Sequence, residues 1–226
     1  MSRFRNHILS LAAILFIAGV SATVRADTIT VVGVNTGQAS TATVVCEFNA
    51  QTNTFTFTIT NTSAITSPGS MSTITGIGFD LPPRGNASAT GLNGFSGTQA
   101  ASASSTFTFN DGDLGNVPAG FNNVVLDFGF ITGPNFAGGT TGLGLTPGES
   151  ASFTVTVLPN QPNPFAGLTE AQICNAIFVR FQNTPGPGSD VGVPGRQIPE
   201  PSSVFLLGSA LLGLGGYARK RLRMRK

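Results

Sequence analysis

The stretch TFTFTIT, Thr54 to Thr60, alternates threonine with Phe55, Phe57 and Ile59. A period of two sends the three apolar side chains to one face of an extended strand and the hydroxyls to the other. Threonine suits a pleated surface, so the outer face stays wetted without charge. The pattern recurs. STFTFN (105–110) carries Phe107 and Phe109, SFTVTV (152–157) carries Phe153, Val155 and Val157, and TATVVCEF (41–48) places Val44, Cys46 and Phe48 on one side. Turn signals separate the runs at Ser67-Pro68-Gly69, Pro82-Pro83-Arg84-Gly85, Asp111-Gly112 and Thr146-Pro147-Gly148. Many short strands with Gly/Pro turns predict an all-β domain, an antiparallel two-sheet sandwich of jelly-roll type. One short helix is predicted in GLTEAQICNA, where Thr169 and Gln172 have the spacing of a capping box.

Neither end of the 226-residue chain reads as part of that domain. At the start, Arg3 and Arg5 precede an apolar stretch from Ile8 to Val20, and Val24-Arg25-Ala26 follows. A charged region, an apolar region and a small residue at the cut are the layout of a secretory signal peptide. Residues 1–26 are therefore expected to be removed by signal peptidase between Ala26 and Asp27. An uncleaved N-terminal anchor is the competing reading, though the apolar stretch is short for a span. At the other end, an apolar run from Ser202 to Tyr217 precedes the basic tail Arg219 to Lys226. As a helix this run rises roughly 24 Å at about 1.5 Å per residue, against a hydrocarbon core of about 30 Å. Gly208, Gly213, Gly215 and Gly216 weaken it further, and the basic tail would remain cytoplasmic. Residues 202–217 are predicted to be a marginal C-terminal transmembrane helix, a temporary hold more than a permanent one.

Pro199-Glu200-Pro201, the Gly/Leu-rich run and the basic tail stand in that order over residues 199–226. This arrangement resembles the PEP-CTERM sorting signal of Gram-negative bacteria, and the resemblance covers the last 28 residues. It implies processing by the membrane enzyme exosortase, with Pro199, Glu200 and Pro201 as the sorting mark. It implies an inner-membrane-anchored precursor that then reaches the cell envelope, the cell surface or the medium. It also implies an exopolysaccharide, biofilm-matrix or adhesion role. An ordinary single-span anchor is the alternative. Phe178 to Gln182 followed by Gly188 to Asp190 is similar to the way such sorted proteins end their domains, a likeness that implies no activity. The expected organisation is signal peptide 1–26, β-sandwich 27–182, Pro/Gly linker 183–198 and sorting signal 199–226.

Between Asp27 and Pro199 the bases are Arg84, Arg180 and Arg196, three against nine acids, a net charge of −6. The acids are Asp27, Glu47, Asp80, Asp111, Asp113, Asp127, Glu149, Glu170 and Asp190. An acidic domain argues against nucleic acid as a partner, since nucleic-acid binders cluster Lys and Arg. The same stretch contains no His, Tyr, Trp or Lys, because His7, Tyr217, Lys220 and Lys226 all lie in the terminal segments. Triad chemistry, lysine Schiff bases and histidine-held zinc are thereby excluded from it, and a non-enzymatic protein without a cofactor is expected. Arg180, flanked by Phe178, Val179 and Phe181, reads either as a partly buried arginine paired with an acid or as an exposed strand residue.

Cys46 and Cys174 are the two cysteines, and in an oxidising compartment a disulfide between them is the default. Two free buried thiols are the rival reading. Asp111, Asp113 and Asn116 could supply oxygen ligands to Ca²⁺, although a plain solvated turn is the simpler reading and the spacing is not that of an EF-hand. Glu149 reads as a turn acid, and Asn61-Thr62-Ser63 and Asn86-Ala87-Ser88 match the glycosylation pattern by chance. Three functions remain in view. The first is an exported non-enzymatic matrix or adhesion protein. The second is a calcium-dependent carbohydrate-binding module meeting extracellular polysaccharide. The third is a hydrolase relying on a carboxylate pair.

Overall fold

The computed structural model describes residues 26–65, 71–82, 94–101, 104–112, 114–115, 117–118, 120–121, 124–186 and 188–195. Nearly all of the predicted signal peptide, the C-terminal span, the basic tail and the sorting residues Pro199, Glu200 and Pro201 fall outside them. No helix among the described residues is long and apolar enough to cross a membrane.

Ten strands follow one another: β1 (Asp27–Gly33), β2 (Gly37–Asn49), β3 (Thr54–Asn61), β4 (Thr73–Phe79), β5 (Phe95–Gln99), β6 (Thr108–Asp111), β7 (Phe128–Ile131), β8 (Ser150–Val157), β9 (Ile177–Thr184) and β10 (Gly188–Pro194). The helix α1 (Glu170–Cys174) lies between β8 and β9. The strand expectations hold where the period is cleanest. Phe55, Phe57 and Ile59 of β3 and Phe153 and Val155 of β8 are buried on one face, while their threonines stay half exposed.

The expected two-sheet sandwich is corrected to one sheet. All ten strands join in the order β5-β8-β3-β2-β1-β10-β9-β4-β7-β6, every pair antiparallel. The sheet curls until its edges β5 and β6 nearly meet. There the Phe95 amide donates to the Asp111 carboxylate at 3.2 Å, and the Phe109 ring lies over Gly97 where any Cβ would overlap it. The walls of this near-barrel also touch across its interior. Phe57 of β3 meets Phe79 of β4 at 5.1 Å and Phe130 of β7 at 5.9 Å between ring centroids. Phenylalanine fills the space, so the barrel is flattened around a sandwich-like core. Period-two alternation states which face of a strand is buried; it does not state which strands pair, and a folded sheet and two stacked sheets read alike.

The expected linker 183–198 is corrected as well. Residues 183–184 complete β9, and β10 pairs with β9 on one side and β1 on the other, making it an interior strand. Its two glycines differ: Gly188 has a positive φ with open space around it, whereas Gly192 serves packing. At Gly192 a Cβ would come within 2.7 Å of both Phe181 and Val31, so close approach of the neighbouring side chains, not linker freedom, requires glycine.

A second, smaller core covers the outer face of β4, β7 and β9. It contains Leu114, Val117, Leu126, Ile131, Phe136 and Val191. Gly76, Gly78 and Gly129 on β4 and β7 leave room for Phe136, Leu126 and Leu114. Among the described residues no such core covers the outer face of β1, β2, β3, β8 and β5, where threonine and serine predominate beside Val45 and Glu47.

Candidate functional site

Two surfaces have the geometry to do something: the pole where the chain ends emerge, and the uncovered hydroxyl face.

β1 begins at one end of the near-barrel, and β10, antiparallel to it, finishes at the same end. The Gly195 amide donates to the Thr30 carbonyl at 2.8 Å, so the chain leaves beside β1 and heads toward Asp27. Pro199 follows four residues after Gly195, a reach of about 14 Å when fully extended. α1 sits at this pole. Its capping box forms as predicted: the Thr169 hydroxyl accepts from the Gln172 amide at 3.2 Å, and the Gln172 side chain accepts from the Thr169 amide at 2.9 Å. Cys174 at the end of α1 and Cys46 on β2 form the predicted disulfide, with both residues fully buried and Cα atoms 6.0 Å apart. Cys46 is the register partner of Asp27. Glu170, the first residue of α1, completes the arrangement. Its Oε2 accepts from the Phe48 amide at 2.7 Å and its Oε1 from the Asp27 amide at 3.1 Å. Phe165 plugs this end of the barrel, with its ring centroid 5.2 Å from Phe48 and 5.4 Å from Phe95.

A cavity of about 450 Å³ opens beside α1, lined by Asp80, Leu81, Pro82, Gln172, Asn175 and Ala176. Burial pushes the Asp80 carboxyl above its ordinary value. The lining offers one carboxyl group and two amides, a set suited to hydrogen bonding a neutral polar group. Carboxylate-pair hydrolysis requires a second acid, and no other acid lines this cavity among the described residues.

At the opposite pole, Asp190 is fully buried. Its carboxylate accepts from the Asn35 and Thr36 amides at 3.0 and 2.8 Å, the Asn35 side chain at 2.9 Å, the Thr36 hydroxyl at 2.7 Å and the Val191 amide at 2.8 Å. Burial pushes this carboxyl up, but the donors of Thr36, Val191 and Asn35 together hold it below the usual range. Arg180 is buried and donates to the Asp190 carbonyl at 3.2 Å. Burial draws its guanidinium below the ordinary value, and the Asp190 charge opposes that effect. This cluster ties the β1–β2 turn to β10 and β9 and has a structural role.

On the uncovered face the register aligns hydroxyls strand by strand. Thr30, Thr43, Thr60 and Ser150 form one row across β1, β2, β3 and β8, and Thr56, Thr154 and Thr98 form another across β3, β8 and β5. Thr58 and Ser152 share a hydrogen bond at 2.7 Å, and Thr60 and Ser150 one at 2.8 Å.

The remaining predicted sites fare unevenly. Asp111 lies on β6 and its Oδ2 is used by Phe95, while Asp113 and Asn116 lie outside the described residues. No group of three or more His, Cys, Asp or Glu that could hold a metal occurs among the described residues. Glu149 is a turn acid. Burial raises its carboxyl, and hydrogen bonds from Thr146 and Ser104 outweigh this and leave it lowered. Asn61 is fully buried, its amide nitrogen donating to the Ser72 and Leu145 carbonyls at 2.7 and 2.8 Å, so that position is closed to a glycan in the folded domain. Ala26 is exposed at the edge of the described residues, next to Asp27. Glu170 was not legible as a site residue, because in sequence it is an unremarked acid within a capping box.

Residues 197–221 match the PEP-CTERM protein-sorting motif. No curated protein and no solved structure matches the chain. The motif supports a secreted protein made as a membrane-processed precursor and sorted by exosortase to the cell surface.

Proposed function

We propose that the sorted body is a non-enzymatic matrix or adhesion protein that meets extracellular polysaccharide through the hydroxyl face of β1, β2, β3, β8 and β5. The observation that carries this reading is the uncovered lattice of threonine and serine, half exposed and in register across five strands. Hydroxyl rows present donors and acceptors to a neutral glycan, with Glu47 in register with Thr56 as a carboxylate on the same face, and the opposite half of the sheet is buried under its second core. The placement of the start of β1 and the end of β10 at one pole supports the reading, because a body held by its sorting signal would then keep this lateral face clear of its attachment.

The test is to recover the protein from native cells and medium and measure its retention on polysaccharide from the same cells. The double variant Thr58→Glu, Thr154→Glu puts two charges on the face without touching the core. Retention is expected to weaken about tenfold, a loss of roughly 1.4 kcal/mol, with the cooperative thermal transition retained and its midpoint lowered only by the loss of the Thr58–Ser152 hydrogen bond. Equal retention by wild type and variant, together with unchanged matrix cohesion on gene deletion, overturns the proposal.

A further inference from the structure

We infer that removal of the signal peptide creates an ion pair that docks the new N-terminus into the fold: the α-ammonium of Asp27 against the carboxylate of Glu170. The inference rests on cleavage between Ala26 and Asp27. The Asp27 nitrogen lies 3.1 Å from Glu170 Oε1 while it is still an amide, and Glu170 Oε2 is held by the Phe48 amide at 2.7 Å. The acceptor is therefore fixed before the charge exists. Hydrolysis breaks the Ala26–Asp27 bond, with the hydroxyl of water going to the Ala26 carbonyl carbon and its hydrogen to the Asp27 nitrogen. That amine then takes a proton from solvent. A hydrogen bond from a neutral amide to a carboxylate becomes one between two opposite charges at the same place, with no movement required.

The surroundings favour this charge. Asp27 contributes its own carboxyl and β2 carries Glu47 one residue beyond the partner Cys46, both of the same sign as Glu170. Asp190 on β10 and Arg180 on β9 form their own cluster with Asn35 and Thr36 at the opposite pole. The effect reaches further than one pair, because Glu170 begins the helix that carries Cys174. In a mature chain starting at Asp27 the contact that already ties β1 to α1 thus becomes an ion pair, and it strengthens the hold on the helix that carries Cys174.

The domain's lack of lysine makes the test direct. Between Asp27 and Pro199 the α-amine is the single amine, and any label on Lys220 or Lys226 falls in separate peptides. Protein exported by native cells is checked by intact mass for a start at Asp27, and its α-amine is titrated by competitive acetylation. An ordinary α-amine titrates at about 7.7–8.0. Here it is expected about half a unit to one unit higher, returning to the ordinary range in Glu170→Gln. Complete acetylation is expected to lower the thermal midpoint of the wild type by about 2–4 °C and to leave the variant unchanged. A start at Asp27 with an ordinary α-amine and no midpoint change overturns the ion pair while the cleavage reading stands. A start elsewhere overturns both. If Glu170→Gln does not fold, titration and acetylation of the wild type still decide.

Discussion

Asp190 is the acid on which the domain's pH response is expected to turn. Its carboxyl is lowered in the folded state by hydrogen bonds that outweigh burial. A lowered acid stabilises the fold fully above its unfolded value, about 3.9, and that stabilisation disappears as pH falls through the folded value. Glu149 acts in the same direction. Asp80 is raised, so its contribution is full below its unfolded value and is lost as pH rises through its folded one. Asp190→Asn is therefore expected to cost about 2–3 kcal/mol at pH 7, and the gap to wild type should narrow below about pH 4. Urea unfolding at a series of pH values measures it; a gap independent of pH would show that the charge contributes nothing.

Among the elements, β10 and the β5–β6 seam carry the consequences. Truncation after Pro185 should behave as loss of an interior strand and leave no cooperative unfolding transition, whereas trimming a linker would leave the transition intact. Circular dichroism with a thermal melt distinguishes the two. At the seam, Gly97→Val must displace the Phe109 ring and is expected to cost about 1–3 kcal/mol, the usual penalty of overpacking. The legibility of these elements differs for a physical reason. β2, β3 and β8 could be read from sequence because one face meets the core and the other meets water. β4 and β7 are buried on both faces, and their outer positions hold glycine under Leu126, Phe136 and Leu114, so TITGIGF and DFGFI show no polar alternation. β10 was concealed by its glycines and by Asp190, which resemble loop chemistry until their packing is seen. The helix cap and the disulfide were legible because each depends on a few residues of definite chemistry. The Glu170 contacts were not, since they join positions 122 and 143 residues apart.

At the scale of the whole molecule, the first and last strands of the body lie next to each other, and their outer ends share a pole with α1, the disulfide and the cavity. The exit of the chain at Gly195 leaves the sorting motif within a few residues of the folded surface. Antiparallel β-topologies closed by long-range pairing fold slowly, and here the order of emergence sets a clock. A chain threaded through a membrane from its N-terminus delivers β1 first and β10 last, so β1 has no partner on one side, and Arg180 no Asp190, until nearly the entire body has crossed. The apolar run at Ser202 arrives just afterwards. Completion of the sheet thus waits for the last strand, and the finished fold would itself prevent the body from sliding back.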